Sequence, residues 1–117
     1  MRFTLLIYGE EGEWSSLSED ERAQVYAEHE ALGRWLAERG WDRGGEELHA
    51  SDRARTVRRD AGGSFVSDGP FAETKEQLGG FYMIECGSID EAVEAAERIP
   101  ARIVEVRQIV EAEERPG

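Results

Sequence analysis

The side chain best suited to acid–base chemistry in this sequence is His29, which lies in a stretch with helical periodicity. It occurs at helical spacing with Val25, Leu32 and Leu36, the apolar stripe of the predicted helix. The stripe predicts that the imidazole points towards a sheet. A neutral imidazole can act as a general base near pH 7, because its ordinary pKa is close to that value. The alternative is a core histidine that bonds a backbone carbonyl or a hydroxyl group.

A second group of polar residues lies in the segment DGPFAETKEQLGG, residues 68–80. Gly69 can adopt backbone angles that other residues avoid, and Pro70 fixes its own φ, so the segment should begin with a rigid turn. We expect Phe71 to anchor this turn in the core. The alternative to a functional role is a rigid turn whose charged side chains simply face water.

Carboxylates of this segment are the predicted partners of His29. Glu38 lies nine residues after His29 on the same helix, which places it half a turn out of phase. Asp68 and Glu73, on the following connection, are therefore the better geometric candidates for the orienting acid. We expect two neighbours in this loop to contact a ligand, Thr74 and Lys75.

Further ligand-binding candidates occur on the first and last predicted strands. Glu105 and Arg107 share one face of the strand at residues 102–110, and the opposite, valine-rich face should meet the helices. A buried charge needs a partner. We therefore expect this pair either to join a structural ion-pair network with the charged loop around Lys75 or to bind a ligand. Tyr8, at the end of the first strand, is expected to line the mouth of a cleft.

The sequence predicts neither a metal nor a cofactor. The only cysteine is Cys86, which excludes an intrachain disulfide and a cysteine-based zinc site, and we expect it to be a small core residue rather than a nucleophile. His29 and His49 alone do not make a metal site. The sequence contains no phosphate loop, dinucleotide fingerprint or serine elbow.

Composition limits the partners. The chain has 117 residues, of which 39% are apolar and 34% charged, with a net charge of -12. This charge argues against nucleic acid and against anionic membranes as partners. A local basic patch at residues 53–59 has two interpretations, a solvated strand edge or a binding surface. The first residues lack the long apolar region of a signal peptide, no stretch is long enough to span a bilayer, and we predict a cytoplasmic protein.

The elements that must position these residues follow the order β-α-β-β(-β)-β-α-β. A strand at residues 2–9 is apolar on both faces, and residues 9–16 are predicted to be a loop. The segment DRGGEEL, residues 42–48, is predicted to be a turn that leads to a strand around residues 47–50. Ser18 with Glu21 predicts a capped helix that runs to about Arg39 and ends at Gly40. A hairpin turn is expected at residues 60–63, and Ser88 should begin a second helix.

This order predicts an α+β fold, ferredoxin-like βαββαβ with an extra hairpin, in one domain covering residues 1–110. Residues 111–117 should form a disordered acidic tail. The two helices would cover one face of the sheet. A second copy of the chain is the simplest cover for the apolar opposite face, so a homodimer is expected.

Longer motifs resemble those of the YCII-related family, in its DGPF-domain branch. The resemblance is carried by DGPFAETKEQLGGFYMIE and extends to LLIYGEE, ARTVR, SIDEAVEAAERIP and VEVR, so it covers nearly the whole chain apart from the tail. Family members often have a proline after EVR, where this chain has Gln108. The resemblance implies a dimeric α+β barrel in which the sheets of two protomers face each other.

The resemblance also implies two functions. Some family members look like small-molecule enzymes, with a histidine and an acidic residue in a cleft, and a histidine often lies eleven residues before a glycine, as His29 does before Gly40. We therefore predict a cleft for a small polar or aromatic molecule, walled by the first helix, the end of the first strand and residues 68–75. Whether the chain is an enzyme stays open. The alternative, from the association of DGPF-branch members with sigma factors, is a regulatory or protein-interaction module.

Overall fold

A four-stranded antiparallel sheet forms the centre of the chain. The computed structural model describes residues 1–116. The strand order is β2–β5–β1–β6, with the bounds β1 Arg2–Gly9, β2 Asp42–Glu47, β5 Gln77–Glu85 and β6 Ile103–Gln108. Two further strands, β3 (Arg55–Asp60) and β4 (Gly63–Asp68), form a separate hairpin. The predicted α+β class is confirmed, and the arrangement is compatible with a ferredoxin-like fold.

Within residues 1–116, three α-helices accompany the sheet, one more than predicted: α1 Glu11–Ser16, α2 Glu19–Glu38 and α3 Ile89–Glu97. The prediction of a loop at residues 9–16 is wrong because α1 forms there, with two glutamates in its first turn, where negative charge favours a helix. The predicted start of α2 is confirmed by a reciprocal capping box between Ser18 and Glu21. Gly40, with φ of 69°, follows its end.

Strand β2 begins earlier than the sequence suggested. Gly44 and Gly45, which we expected in a turn, lie inside the strand with φ of 111° and 155°. The pairing of β2 with β5 shifts register between Asp42 and Gly45. A Cβ atom at Gly45 would lie 2.5 Å from the carbonyl oxygen of Phe81. The two glycines therefore permit a bulge in β2 and a close approach of β2 to β5, so the predicted turn is wrong at these positions.

The hydrophobic core lies between one face of the sheet and helices α2 and α3. Side chains alternate along β1, so that Phe3 and Leu5 are fully buried while Thr4 and Leu6 on the opposite face are partly exposed. The helices contribute Leu32, Leu36 and three small alanines, Ala92, Ala95 and Ala96, which let α3 approach the sheet closely. Cys86 is buried at the edge of this core, and burial raises the pKa of its thiol.

The opposite face of the sheet is partly exposed. It presents apolar side chains from β1 and β5, among them Leu6, Phe81 and Met83, together with Ile103 from β6. The valines of β6, Val104 and Val106, pack on the helix side, as predicted. This division leaves Glu105 and Arg107 on the partly exposed face.

The β3–β4 hairpin confirms the predicted extra hairpin and projects away from the sheet. Its turn is closed by the Gly62 amide, which donates to Asp60 Oδ1 at 2.7 Å. The expectation that Phe71 anchors the following segment in the core is wrong, since its side chain is 77% exposed. Instead, Arg58 Nη2 donates to the Phe71 carbonyl at 2.8 Å, which holds this residue at the base of the hairpin.

The C-terminal residues turn back on β1. Arg2 makes a two-pronged ion pair with Glu111, with both N–O distances at 3.0 Å, and Ala112–Glu114 form a 3-10 turn. The predicted disordered tail, residues 111–117, also includes Gly117, which lies outside the described residues. Within residues 1–116, none of the helices has the length and apolar character needed to cross a membrane.

Candidate functional site

A cleft of about 1000 Å³ opens at the end of the sheet where β1 and β2 finish and β5 and β6 begin. Helix α1 and the first half of α2 form its other wall. Trp14 and Tyr26 meet edge to face in this wall, with ring centroids 5.5 Å apart. The cleft thus has the concave, partly aromatic character typical of small-molecule sites.

His29 and Tyr82 form a hydrogen-bonded pair in the wall of the cleft. His29 Nδ1 lies 2.7 Å from Tyr82 Oη, and the rings are nearly parallel with centroids 5.9 Å apart. Tyr82 lies opposite Leu5 across the β1–β5 ladder, so it faces the helix side of the sheet, where the inner stripe of α2 brings His29. The predicted inward orientation of His29 is confirmed, and its bonding partner is a hydroxyl group.

Burial sets the protonation of this pair. It lowers the pKa of His29, against a smaller opposing effect of the Glu47 carboxylate, and therefore favours the neutral imidazole. It also raises the pKa of Tyr82, and the charge of Asp42 adds to this. Near pH 7 the pair is an imidazole and a protonated phenol, the forms that can accept and donate a proton.

Glu47 is the carboxylate that the structure places beside this pair. It comes from the end of β2, and both of its oxygens lie 3.1 Å from Tyr26 Oη, which can donate to either of them. Glu47 and His29 both line the cleft. Glu47 therefore acts on His29 through its charge, while its hydrogen-bond partner is Tyr26.

The structure does not bring Asp68 or Glu73 to His29. Asp68 lies at the end of the hairpin, 91% exposed, with Oδ1 3.6 Å from Arg55 Nε. Glu73 is exposed, and neither residue lines the cleft. The physical reason is that the connection starts on the projecting hairpin and returns to the sheet only at Gln77, which does line the cleft.

Lys75 and Thr74 lie near the rim. Lys75 Nζ is 3.0 Å from Glu10 Oε1, and this contact lowers the pKa of the glutamate. Arg102 bridges the same carboxylate and Glu13, with N–O distances of 3.7 and 3.0 Å. Thr74 Oγ1 donates to the carbonyl of Glu76 at 2.7 Å. Lys75 thus joins an ion-pair cluster with the loop after β1.

Glu105 and Arg107 lie on the sheet face opposite His29. Within residues 1–116, neither forms a salt bridge in the single chain, so the expected network with Lys75 is absent there. Tyr8 borders the cleft, and its Oη is 3.5 Å from Glu105 Oε1, a long contact. The sequence-predicted ligand residues are therefore divided between the two faces.

The lining of the cleft is acidic. Its one guanidinium belongs to Arg102, and its histidines are His29 and His49. Six carboxylates line it, those of Glu10, Glu11, Glu13, Glu46, Glu47 and Asp52. In the part of the chain that the structure describes, no group of three or more His, Cys, Asp and Glu side chains is arranged to hold a metal ion.

Comparison with known proteins decides the family. Residues 1–113 match the YCII-related domain. The chain belongs to the YCII-related family. It is 42% identical over 96 residues to uncharacterized protein R00369 of Rhizobium meliloti (strain 1021), a match that covers 82% of this chain and 77% of that protein. The predicted YCII-related family is thereby confirmed.

The YCII-related chain has site residues that sequence reasoning missed, above all Tyr82 and Glu47. Tyr82 lies in the strand GGFYMIEC, which is apolar on both faces, so alternation did not reveal which face meets the helices. Glu47 was placed at the start of a strand that actually ends there. A usable signal was the tyrosine at position 82, two residues before the buried Ile84 and hence on the same face.

Proposed function

We propose that this YCII-related protein binds a small molecule in the cleft and that His29 and Tyr82 exchange a proton with it. The observation that carries the proposal is the 2.7 Å contact between His29 Nδ1 and Tyr82 Oη in the wall of a cleft of about 1000 Å³. A titratable pair with shifted pKa values in the wall of a cleft is the combination expected of an active or binding site.

The roles of the two side chains follow from their protonation. In the tautomer whose Nδ1–H donates to Tyr82 Oη, His29 Nε2 can accept a proton from the ligand and the Tyr82 hydroxyl can donate one to it. The lowered pKa of His29 keeps the imidazole neutral near pH 7, and the raised pKa of Tyr82 keeps its hydroxyl protonated. The charge of Glu47 acts on His29 from the same lining, and catalytic roles of Asp68 and Glu73 stay predictions.

The charge of the lining selects the ligand class. Among residues 1–116, six carboxylates line the cleft; Glu10 and Glu13 are paired with Lys75 and Arg102, which leaves four that no lysine or arginine neutralises. The aromatic rings of Trp14 and Tyr26 form part of the wall. A cationic or neutral aromatic molecule meets favourable electrostatics there, and an anion of the same shape is repelled. An aromatic amine is therefore the preferred class within the predicted small polar or aromatic ligands.

The proposal includes a cytoplasmic homodimer of the DGPF branch, arranged as a dimeric α+β barrel. The apolar side chains on the partly exposed sheet face support it, since a second copy would cover them. In such a dimer Glu105 and Arg107 would lie between the two sheets. The regulatory alternative with a sigma factor stays a prediction.

A pair of matched probes tests the cleft. Calorimetry with tyramine and with 3-(4-hydroxyphenyl)propionate, which differ mainly in the sign of their charge, should show tighter binding of the amine. His29→Leu and Tyr82→Phe should each weaken amine binding at least about tenfold, the loss of one good polar contact. Gln24→Leu, at an exposed position of α2 that does not line the cleft, is the control and should bind within twofold of wild type. Unchanged binding in folded His29→Leu would refute the proposal.

A further inference from the structure

The β3–β4 hairpin with its base, residues 53–71, is here called the arm. Its two strands pair only with each other and form a sheet separate from the central one. All six residues of β4 are exposed, and the paired Val57 and Val66 are 60% and 64% exposed on one face, with Phe65 at 56% on the other. Among residues 1–116 no other strand pairs with the arm, and an isolated two-stranded hairpin is at best marginally stable in water, so the arm needs a cover.

The arm is nevertheless closed by specific contacts at its base. The Gly69 amide donates to the Ala54 carbonyl at 2.7 Å, and Thr56 Oγ1 donates to the Gly69 carbonyl at 2.8 Å. Arg58 Nη2 donates to the Phe71 carbonyl at 2.8 Å. These bonds hold both ends of the hairpin together, which makes it a preformed element rather than a loose loop.

The shape of the chain shows how far the arm departs from a compact domain. The radius of gyration is 16.6 Å, and the principal extents are 50, 50 and 18 Å. A compact domain of this length has a radius of gyration of about 13 Å. The single chain is therefore flat and extended, a form typical of a protomer whose projecting part packs on a neighbour.

The charge of the arm indicates which kind of neighbour it packs on. The arm carries four arginines and two aspartates, whereas the rest of the chain has ten basic and 24 acidic residues. A partner with an acidic surface thus fits the arm, and the body of this same chain supplies one, together with partly exposed apolar side chains on its sheet. Nucleic acid would also attract four arginines, but it would be repelled by the strongly acidic body beside them.

We propose that the arm lies on a second copy of this chain. The body of the partner covers the Val57–Val66 face, and its carboxylates meet the arginines of the arm. By two-fold symmetry both copies exchange arms. The proposal rests on the homodimer of the proposed function and adds which segment reaches across, and it is independent of the chemistry at His29.

Photocrosslinking with isotope-mixed dimers tests the exchange. Ser64→p-benzoylphenylalanine places a photoreactive group at an exposed position on the Val57–Val66 face of the arm, and ¹⁴N and ¹⁵N copies are mixed until native mass spectrometry shows mixed dimers. Irradiation should give a covalent dimer whose joined peptides carry different isotopes. Crosslinks confined to one isotope would overturn the arm exchange while leaving the dimer intact. A monomer by light scattering would overturn both.

A charged substitution on the arm provides a second test of the proposal. Val57→Asp with Val66→Asp should raise the dissociation constant of the dimer about 100-fold or more, because each loss of apolar burial acts twice in a two-fold dimer. Val93→Asp, at a 40% exposed valine of α3, is the control and should leave it within threefold. Unchanged dimerisation in the double variant would overturn the proposal. So would tight binding of a 20-base-pair DNA duplex that depends on these two valines.

Discussion

Replacing Tyr82 by Phe removes one oxygen atom and with it the 2.7 Å contact to His29 Nδ1. A neutral hydrogen bond of this kind contributes about 1 kcal/mol net to stability. His29 is only partly buried, so water in the cleft can replace the lost partner, and the cost should stay near that figure rather than near the larger penalty of a fully buried unpaired group. For a chain of this length, about 1 kcal/mol corresponds to a fall in melting temperature of roughly 4 °C.

The assay is a double-mutant cycle by urea denaturation at pH 7.5, with Tyr82→Phe, His29→Leu and the double variant. We expect a coupling energy of about 1 kcal/mol, because each single change breaks the same bond. Tyr8→Phe is the matched control, since its hydroxyl makes only the long 3.5 Å contact to Glu105, and it should change stability by less than about 0.5 kcal/mol.

A second measurement separates the effect of the hydrogen bond on the pKa of His29 from the effect of burial. Burial is the main cause of the lowered pKa of His29, so the pKa should remain below its ordinary value in Tyr82→Phe when followed by NMR titration. A coupling energy below about 0.3 kcal/mol, the usual error of additivity, would show that the two side chains do not interact and would refute the reasoning.

Three further predictions concern pH, the core and a glycine. The free energy of unfolding of the wild type should fall as pH drops below about 6.5, because the unfolded chain binds a proton at His29 that the folded chain takes up only at lower pH. Urea titrations at pH 7.5 and 5.5 should show a smaller fall in His29→Leu than in the wild type. Leu36→Ala, at a fully buried position, should cost about 2–5 kcal/mol by the same method, and a cost under 1 would contradict its core position. Gly45→Ala should lower the melting temperature strongly, because its Cβ would lie 2.5 Å from the Phe81 carbonyl oxygen. Gly33→Ala is the control: its Cβ meets open space, so the change should be neutral or stabilising by up to about 1 kcal/mol.

Local patterns in the sequence were sufficient to predict most of the helices and strands. Strand β1 has the predicted bounds, and its alternation correctly paired Phe3 with Leu5 on one face. The Ser18 cap and Gly40 mark the two ends of α2 as predicted. These features depend on side-chain period and on hydrogen bonds between residues close in sequence, so a short stretch carries all of the information.

Other elements depended on context that a short stretch lacks. The segment at residues 11–16 reads as a polar loop but forms a helix, and Gly44 and Gly45 read as a turn but lie in a strand. Phe71 is apolar and follows a rigid turn, yet it is 77% exposed on the arm. In each case the residues were compatible with two structures. Two glutamates favour α1, pairing with β5 extends β2 through the glycines, and the Arg58 contact keeps Phe71 on the arm.

For the candidate site, the sequence by itself determined that His29 faces inwards and that its own helix offers no acid partner. Only the tertiary structure decided what it meets, which is Tyr82, 53 residues away, with Glu47 nearby and Asp68 carried off on the arm. The reason is physical. Periodicity specifies the face of an element on which a side chain lies, whereas the distance between two faces is set by strand order, register and the packing of α2 on β5.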